Sequence, residues 1–521
     1  MSENTKHMAR AAVLLMITVI LSRILGYGRE VALYTAFGQN YMTDAYRAAF
    51  SIPDFIYMLL VGGALSAALI PVFSAYIATG RDEEGWRSAS IVLNYTLVTL
   101  IILIVVAYLN TRPLINILVP GIPEPYNSLA VHLTHIMFVQ TFFMALNGLA
   151  MGVLNSHHHF FAPALGSLLY NVAIIGVGLA LVDQLGIAAF SYGVVLGAVV
   201  NFLVQIPALR RVGMKYYFCF DYRDEGFKQI MMLMIPVLAG LGAVQLSLFV
   251  TQNLASGLAP GTVSALALAQ RVMNLPLGIF AVSIGVAIFP TLTALSARGE
   301  MEMFKRSSSL GIRAVFLLTI PASLGLIAIG DPLIRLLFEQ GEFTSNAVLV
   351  TNEALRYYCL GMFAYSALQV LNRSFYALKD TISPVLAAMI TIAFNILLSL
   401  KLVGTMGHVG LALSYSLAGI LSLIFLLIIL RWKLGKIGIS KIVKSFTISL
   451  GASLLMFISV REVTAYFFNL LAFSNKINLL IGVSIGAISG VIVYGMIVYL
   501  FKLEESELVL GMLRKKLRSA A

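Results

Sequence analysis

The chain has 521 residues, 60% of them hydrophobic and 11% charged, with a formal net charge of +12 and a mean hydropathy of +0.93. A soluble domain carries about 25% charged residues, so a soluble fold is excluded and a polytopic membrane protein is implied. The lysines and arginines punctuate apolar runs instead of forming one patch, which argues against a nucleic-acid partner.

Apolar runs of about 20 residues are long enough to cross a bilayer as helices. About fourteen occur, near 9–37, 44–78, 88–110, 127–154, 160–183, 186–209, 226–254, 262–296, 307–330, 346–377, 381–403, 407–431, 441–460 and 476–501. The expected fold class is all-α, with about 14 transmembrane helices. The first run outlasts a signal-peptide core and lacks a small-residue cleavage pattern, so no cleavable leader is expected. Pro53 and Gly62-Gly63 interrupt the second run, and Pro276 and Gly285 the eighth. Interruptions in matching helices point to a transporter site.

The loops alternate in charge. Lys6 and Arg10, Arg81 and Arg87, Arg210, Arg211 and Lys215, Arg298, Lys305 and Arg306, Lys379, Arg431, Lys433 and Lys436, and Arg514, Lys515, Lys516 and Arg518 fall on one side, while 38–43 and 255–262 are nearly bare. The positive-inside rule then makes both termini cytoplasmic.

The sequence also repeats itself. Pro71, Gly80 and Glu83 match Pro290, Gly299 and Glu302; Val153-Leu154-Asn155 recurs at Val370-Leu371-Asn372, Ser191-Tyr192 at Ser414-Tyr415, and Leu209-Arg210 at Leu430-Arg431, all at an offset of roughly 220 residues. A repeat of six helices gives two lobes in parallel pseudo-two-fold relation. The expected divisions are 1–215, 216–437, and an added pair of helices with a basic tail over 438–521.

Within the first span, Ser22-Arg23-Ile24-Leu25-Gly26-Tyr27-Gly28-Arg29-Glu30 sets two arginines and a glutamate where leucines are expected. Arg23 and Glu30 are two turns apart and share a helix face. A charge at the bilayer centre costs about 2.5–3.5 kcal/mol, so such a cluster faces a watery cavity, a partner charge or a charged substrate. For Arg29 and Glu30, snorkelling to the outer membrane face is the alternative. Asp44 and Arg47 lie one turn apart at the outer end of the second span, and Arg271 stands five residues before Pro276 in the eighth. Arginines from both lobes converging on one cavity make a phosphate or pyrophosphate site, because the guanidinium fork binds such groups bidentately and stays charged. Ser22, Gln245, Gln252 and Asn274 are polar candidates for the same cavity, with Glu30 and Asp44 as gating or charge-pair residues. Gln140, Asn147 and Asn171 read as interhelical packing amides.

No catalytic set is visible: there is no nucleotide-binding glycine loop, no Ser/His/Asp set at one depth, and no aspartate-rich membrane motif. His157-His158-His159 occupies a short turn where three consecutive histidines cannot face one metal, so neither a metal nor a cofactor is expected. Without an ATPase domain, energy would come from an ion gradient or the membrane potential.

Ser22–Glu30, Thr43-Asp44-Ala45-Tyr46, Gly63–Ser66 with Pro71, Gln270–Pro276 and Phe338–Thr344 together resemble the MurJ (MviN-type) lipid II flippases of the multidrug/oligosaccharidyl-lipid/polysaccharide exporter superfamily. The resemblance covers the first twelve helices in order, and the last two also fit. It implies a non-enzymatic transporter of a bacterial cytoplasmic membrane that moves lipid II, the undecaprenyl-pyrophosphate-linked disaccharide-pentapeptide, to the outer leaflet by alternating access. It also implies that Arg23, Arg29 and Arg271 line the central cavity, that Asp44 is an essential acid, and that the last two helices form a groove for the lipid tail. Two departures stand out: Tyr57 and Met58 replace arginines found in some relatives, leaving Arg47 as a substitute charge, and Asn274 lies near the place of a family glutamate. A flippase for O-antigen or capsule units follows the same chemistry. A multidrug–cation antiporter fits an arginine-lined cavity less well.

Overall fold

The computed structural model describes residues 3–61, 64–157, 159–471 and 476–506. Gly62, Gly63, His158 and the basic tail at Arg514–Arg518 lie outside the described residues. Among the described residues all regular structure is helical: α1 (Glu3–Phe37), α2 (Tyr41–Leu60), α3 (Ala64–Ala78), α4 (Asp82–Leu109), α5 (Thr111–Leu118), α6 (Tyr126–Ser156), α7 (Phe161–Leu185), α8 (Ala188–Arg211), α9 (Glu225–Ser256), α10 (Thr262–Pro276), a π turn (Leu277–Ala281), α11 (Val282–Ala297), α12 (Met301–Phe338), α13 (Ser345–Ala377), α14 (Ile382–Leu434), α15 (Ile439–Leu471) and α16 (Lys476–Phe501). Nine of the described helices are long and apolar enough to span a bilayer, as a multi-pass membrane protein requires.

Each of the fourteen apolar runs coincides with helix. The long second run is two helices, α2 and α3. The eighth is bent by one turn of π-helix directly after Pro276, where the missing proline N–H breaks the regular ladder. The eleventh and twelfth runs are two helical segments within α14, separated by a kink at Gly407, whose φ is +57°. A Cβ on nearby Gly410 would meet the Leu402 carbonyl oxygen at 2.6 Å, so only glycine lets the chain fold back so closely there.

The chain forms two compact units. One comprises Met1–Val263 with Gln340–Phe343; the other comprises Ser264–Glu339 with Thr344–Ala521. The first compact unit therefore extends beyond the six-helix repeat, because α9 packs on α3, α2, α4 and α5. Its main core lies between α2, α3, α4, α6 and α9 around Ile52, Leu69, Phe73, Trp86 and Phe138, and a second cluster holds Leu33, Tyr46, Met137, Ile174 and Phe190. Small residues bring α8 onto α7, where a Cβ at Gly193 or Gly197 would come within 2.9 Å or 2.8 Å of the facing backbone. Close backbone approach of this kind substitutes for the hydrophobic drive that lipid does not supply.

In the second unit α12 packs on α13 and α15, α13 on α14, and α15 on α16, around Ile312, Phe316, Leu371 and Phe375. The added helices are fastened by charge. Arg313 of α12 donates to Glu505 at 2.7 Å and to Glu504 at 3.0 Å, just past the end of α16, and Ser445 of α15 also binds Glu505. Glu505 is fully buried.

Candidate functional site

The local sequence builds the C-terminal end of α1 and the start of α2 as one corner. Gly38, with φ of +68°, terminates α1. Asn40 then caps α2 in a reciprocal box with Thr43, which satisfies amides that a helix start would otherwise leave without partners. Asp44, Arg47 and the last turns of α1 are thereby held side by side.

At this corner the Glu30 carboxylate is 2% exposed and accepts hydrogen bonds from Arg29 at 3.1 Å and from Arg47. Arg47 also donates to the Tyr34 hydroxyl at 3.2 Å and lies over that ring, 5.6 Å from its centre. Tyr34 in turn meets Phe343 edge-on. Both guanidiniums stay nearly one-fifth exposed, 18% for Arg29 and 19% for Arg47. Two partly exposed guanidiniums around one buried carboxylate make an arrangement suited to an anionic ligand.

Asp44 is buried and accepts the Gly261 N–H at 2.8 Å. It thus ties the turn between α9 and α10 to the start of α2. Gly261 has φ of +83°, and a Cβ there would meet the Gln39 backbone at 2.7 Å. Residues 340–343 close on the same corner: Glu342 N–H donates to the Thr35 carbonyl at 2.9 Å, and Gly341 abuts Thr35 so tightly that a side chain would not fit.

The structure therefore brings together Arg29, Glu30, Arg47 and Asp44. Arg23 lies lower on α1 and is exposed; six residues along a helix put it about 9 Å from the level of Arg29. Ser22 pairs with Ser167 at 2.9 Å and, through its carbonyl, with Asn171, so it joins α1 to α7. Gln252 accepts from Ser51 at 2.7 Å, linking α9 to α2, and Gln245 is buried on α9. Arg271, half-buried, and Asn274, exposed, belong to α10 in the second unit. His157 stacks against Trp86.

Sequence reasoning did not single out Tyr34, the partner that orients Arg47, or the Arg313–Glu505 clasp. The signal for Arg313 was available: it is a charge inside an apolar run, the criterion that singles out Arg23 and Arg271. Tyr34 carried none, since a tyrosine in an apolar helix is unremarkable until its hydroxyl partner is known.

The profile of the MurJ family, described as lipid II flippase MurJ, matches residues 33–500. The lipid II flippase MurJ of Burkholderia cenocepacia is 30% identical over 427 residues, covering 79% of this chain and 81% of that protein. The probable lipid II flippase MurJ of Vibrio cholerae is 30% identical over 433 residues, covering 81% and 82%. A solved structure described as lipid II flippase MurJ in an inward closed conformation superposes with a TM-score of 0.79 at 29% identity, covering 94% of this chain and 98% of the other. An inward-facing multidrug resistance MATE transporter shares the fold at a TM-score of 0.65 and 15% identity, covering 80% of this chain and 98% of its own. With a family profile spanning most of its length and relatives alike over four-fifths of it, this chain is a member of the MurJ family of lipid II flippases.

Proposed function

We propose that this protein translocates lipid II from the inner to the outer leaflet of a bacterial inner membrane, by alternating access and without a covalent step. The observation that carries the reading is the corner of α1 and α2, where Arg29 and Arg47, each nearly one-fifth exposed, flank the buried Glu30. A pyrophosphate replaces water and part of the Glu30 contact on these guanidiniums. Each bidentate contact is charge-assisted and therefore about twice as strong as a neutral hydrogen bond. Arg23, about one and two-thirds turns lower on α1, extends the cationic path toward the inner leaflet. Arg271, half-buried on α10, is the second unit's own candidate for an anionic group.

In this reading residues 1–215 and 216–437 are the two lobes that rock about the substrate, and α15 and α16 with the tail to residue 521 form the groove for the polyprenyl chain. Both termini face the cytoplasm, as the distribution of lysine and arginine requires. Release of the Asp44–Gly261 bond opens the outer end, and the membrane potential or an ion gradient drives the cycle. The doubly anionic headgroup moves outward down a potential that is negative inside, worth about 2.3 kcal/mol per charge per 100 mV.

Native mass spectrometry of the detergent-purified chain tests the assignment. Lipid II is expected to remain bound in preference to undecaprenyl monophosphate, and Arg29→Ala with Arg47→Ala is expected to erase the preference. A wild-type protein that retains an O-antigen or capsule precursor and rejects lipid II would overturn it.

A further inference from the structure

The mid-helix carboxylate of α2, Asp54, has no place in the site described above. Glu30 is engaged by two arginines and Asp44 by the Gly261 amide, whereas Asp54 keeps exposed surface on α2. It neighbours Gln140 on α6, lies in the field of Arg29 on α1, and sits one turn before Tyr57 on its own helix. Gln140 is 2% exposed, and its Oε1 has no hydrogen-bond partner. An ionised carboxylate can use only the amide's NH2 group, so the buried oxygen goes without a donor. A proton on Asp54 supplies that donor: once the amide turns, the acid O–H donates to Gln140 Oε1.

We propose that Asp54, partnered by Gln140, is a proton-binding site that fills when the pyrophosphate of lipid II binds. The inference rests on the flippase reading. Its electrostatic logic is direct. Ionised Asp54 offers Arg29 a second counter-charge and competes with the incoming anion. Protonated Asp54 no longer competes, and the proton, taken from water, offsets one negative charge of the headgroup. The other helices packed against α2 bring little charge to this level. Glu225 and Lys228 sit in the first turn of α9, α4 carries no charged residue after Arg87, α3 carries none, Arg112 is in the first turn of α5, and α6 contributes His132 and His135 nearer its start. Arg23, Glu30, Asp44 and Arg47 are the other charges on α1 and α2 beyond the first ten residues of the chain. A sodium-sized cation is a poorer fit, because it needs a full shell of oxygens while this site offers a carboxylate, one amide oxygen and one phenol beside a guanidinium.

The test is lipid II affinity of the full-length protein in nanodiscs as a function of pH, for wild type and Asp54→Asn. Uptake of one proton makes wild-type Kd rise by up to about tenfold per pH unit as pH increases. Asp54→Asn, permanently neutral, keeps only the shallower slope that lipid II's own phosphates and the histidines supply. Equal slopes in the two proteins overturn the proposal. Infrared difference spectra on adding lipid II give a second readout that needs no variant to fold: a protonated-carboxyl carbonyl band must appear in wild type. Absence of that band overturns the proposal as well. Failure of wild type to bind lipid II at any pH would instead indict the flippase reading. Inorganic pyrophosphate then serves as the probe, with an Asp54-dependent slope upholding the proton link and its absence, or no binding, ending it.

Discussion

Replacing Glu30 by glutamine separates the two roles of its carboxylate. The group is 2% exposed and accepts from both Arg29 and Arg47. Glutamine keeps the shape and one acceptor oxygen but turns an NH2 toward a guanidinium. Two hydrogen bonds between ions, of about 1.5–3 kcal/mol each, give way to at most one from a guanidinium to a neutral amide oxygen, of about 1 kcal/mol. The gross loss is about 2–5 kcal/mol, and because the arginines are 18% and 19% exposed, water recovers part of it. We expect a stability loss of about 2 kcal/mol. Affinity moves the other way. A unit charge 4 Å from a guanidinium is worth about 4 kcal/mol at an effective dielectric of 20, and even a third of that is about tenfold in Kd. Glu30→Gln is therefore expected to unfold at lower temperature, bind lipid II about tenfold tighter, and flip it more slowly as release becomes limiting. Thermal unfolding, lipid II binding and flipping in liposomes, measured on one preparation, check all three. Unchanged or weaker affinity in a folded Glu30→Gln protein would refute the idea that Glu30 competes with the ligand for these arginines.

Three further outcomes follow from the same geometry. Asp44→Ala leaves the Gly261 N–H without its acceptor, a loss of about 1–3 kcal/mol; amide exchange over 257–262 should quicken about tenfold or more, and unchanged exchange would remove Asp44 as a tie. Glu505→Gln weakens the buried pair with Arg313, and since breaking such a pair by losing one partner costs about 3–5 kcal/mol, α15 and α16 should lose exchange protection ahead of α13. Uniform loss across the second unit would contradict that. The third concerns pH. Burial pushes the Asp380 carboxyl up, but hydrogen bonds from Lys433 and Ser383 outweigh it and hold the group below its ordinary value. The clip between the two ends of α14 therefore contributes fully above the ordinary carboxylate range and is lost as pH falls through the lowered value. Asp380→Asn should be less stable than wild type at neutral pH and converge with it in strong acid; a constant gap would count against the clip.

What the sequence made legible was whatever depends on local composition. The apolar runs located the helices, and charges inside those runs located Arg23, Arg29, Glu30 and Arg271, because a charge in hydrocarbon is costly enough to demand a reason. Pro276 marked a real departure from α-helix, whereas Pro53 did not break α2, whose neighbouring turns are buried against α6. Partners distant in sequence were not legible. Nothing near Glu30 names Arg47, seventeen residues on and across a corner, and nothing near Asp44 names the Gly261 amide. Those pairings depend on how Gly38 and the Asn40 cap turn the chain. The same limit applies to Ser22: nothing near it in the sequence names Ser167, whose hydroxyl it meets at 2.9 Å.

The most direct test of the account is complementation in cells depleted of their own flippase, scoring lipid II exposed on the outer leaflet at matched membrane levels. Wild type should restore exposure, while Arg29→Ala and Arg47→Ala should leave lipid II on the inner leaflet. Full exposure with both arginines removed together would contradict the claim that this corner of α1 and α2 carries the pyrophosphate.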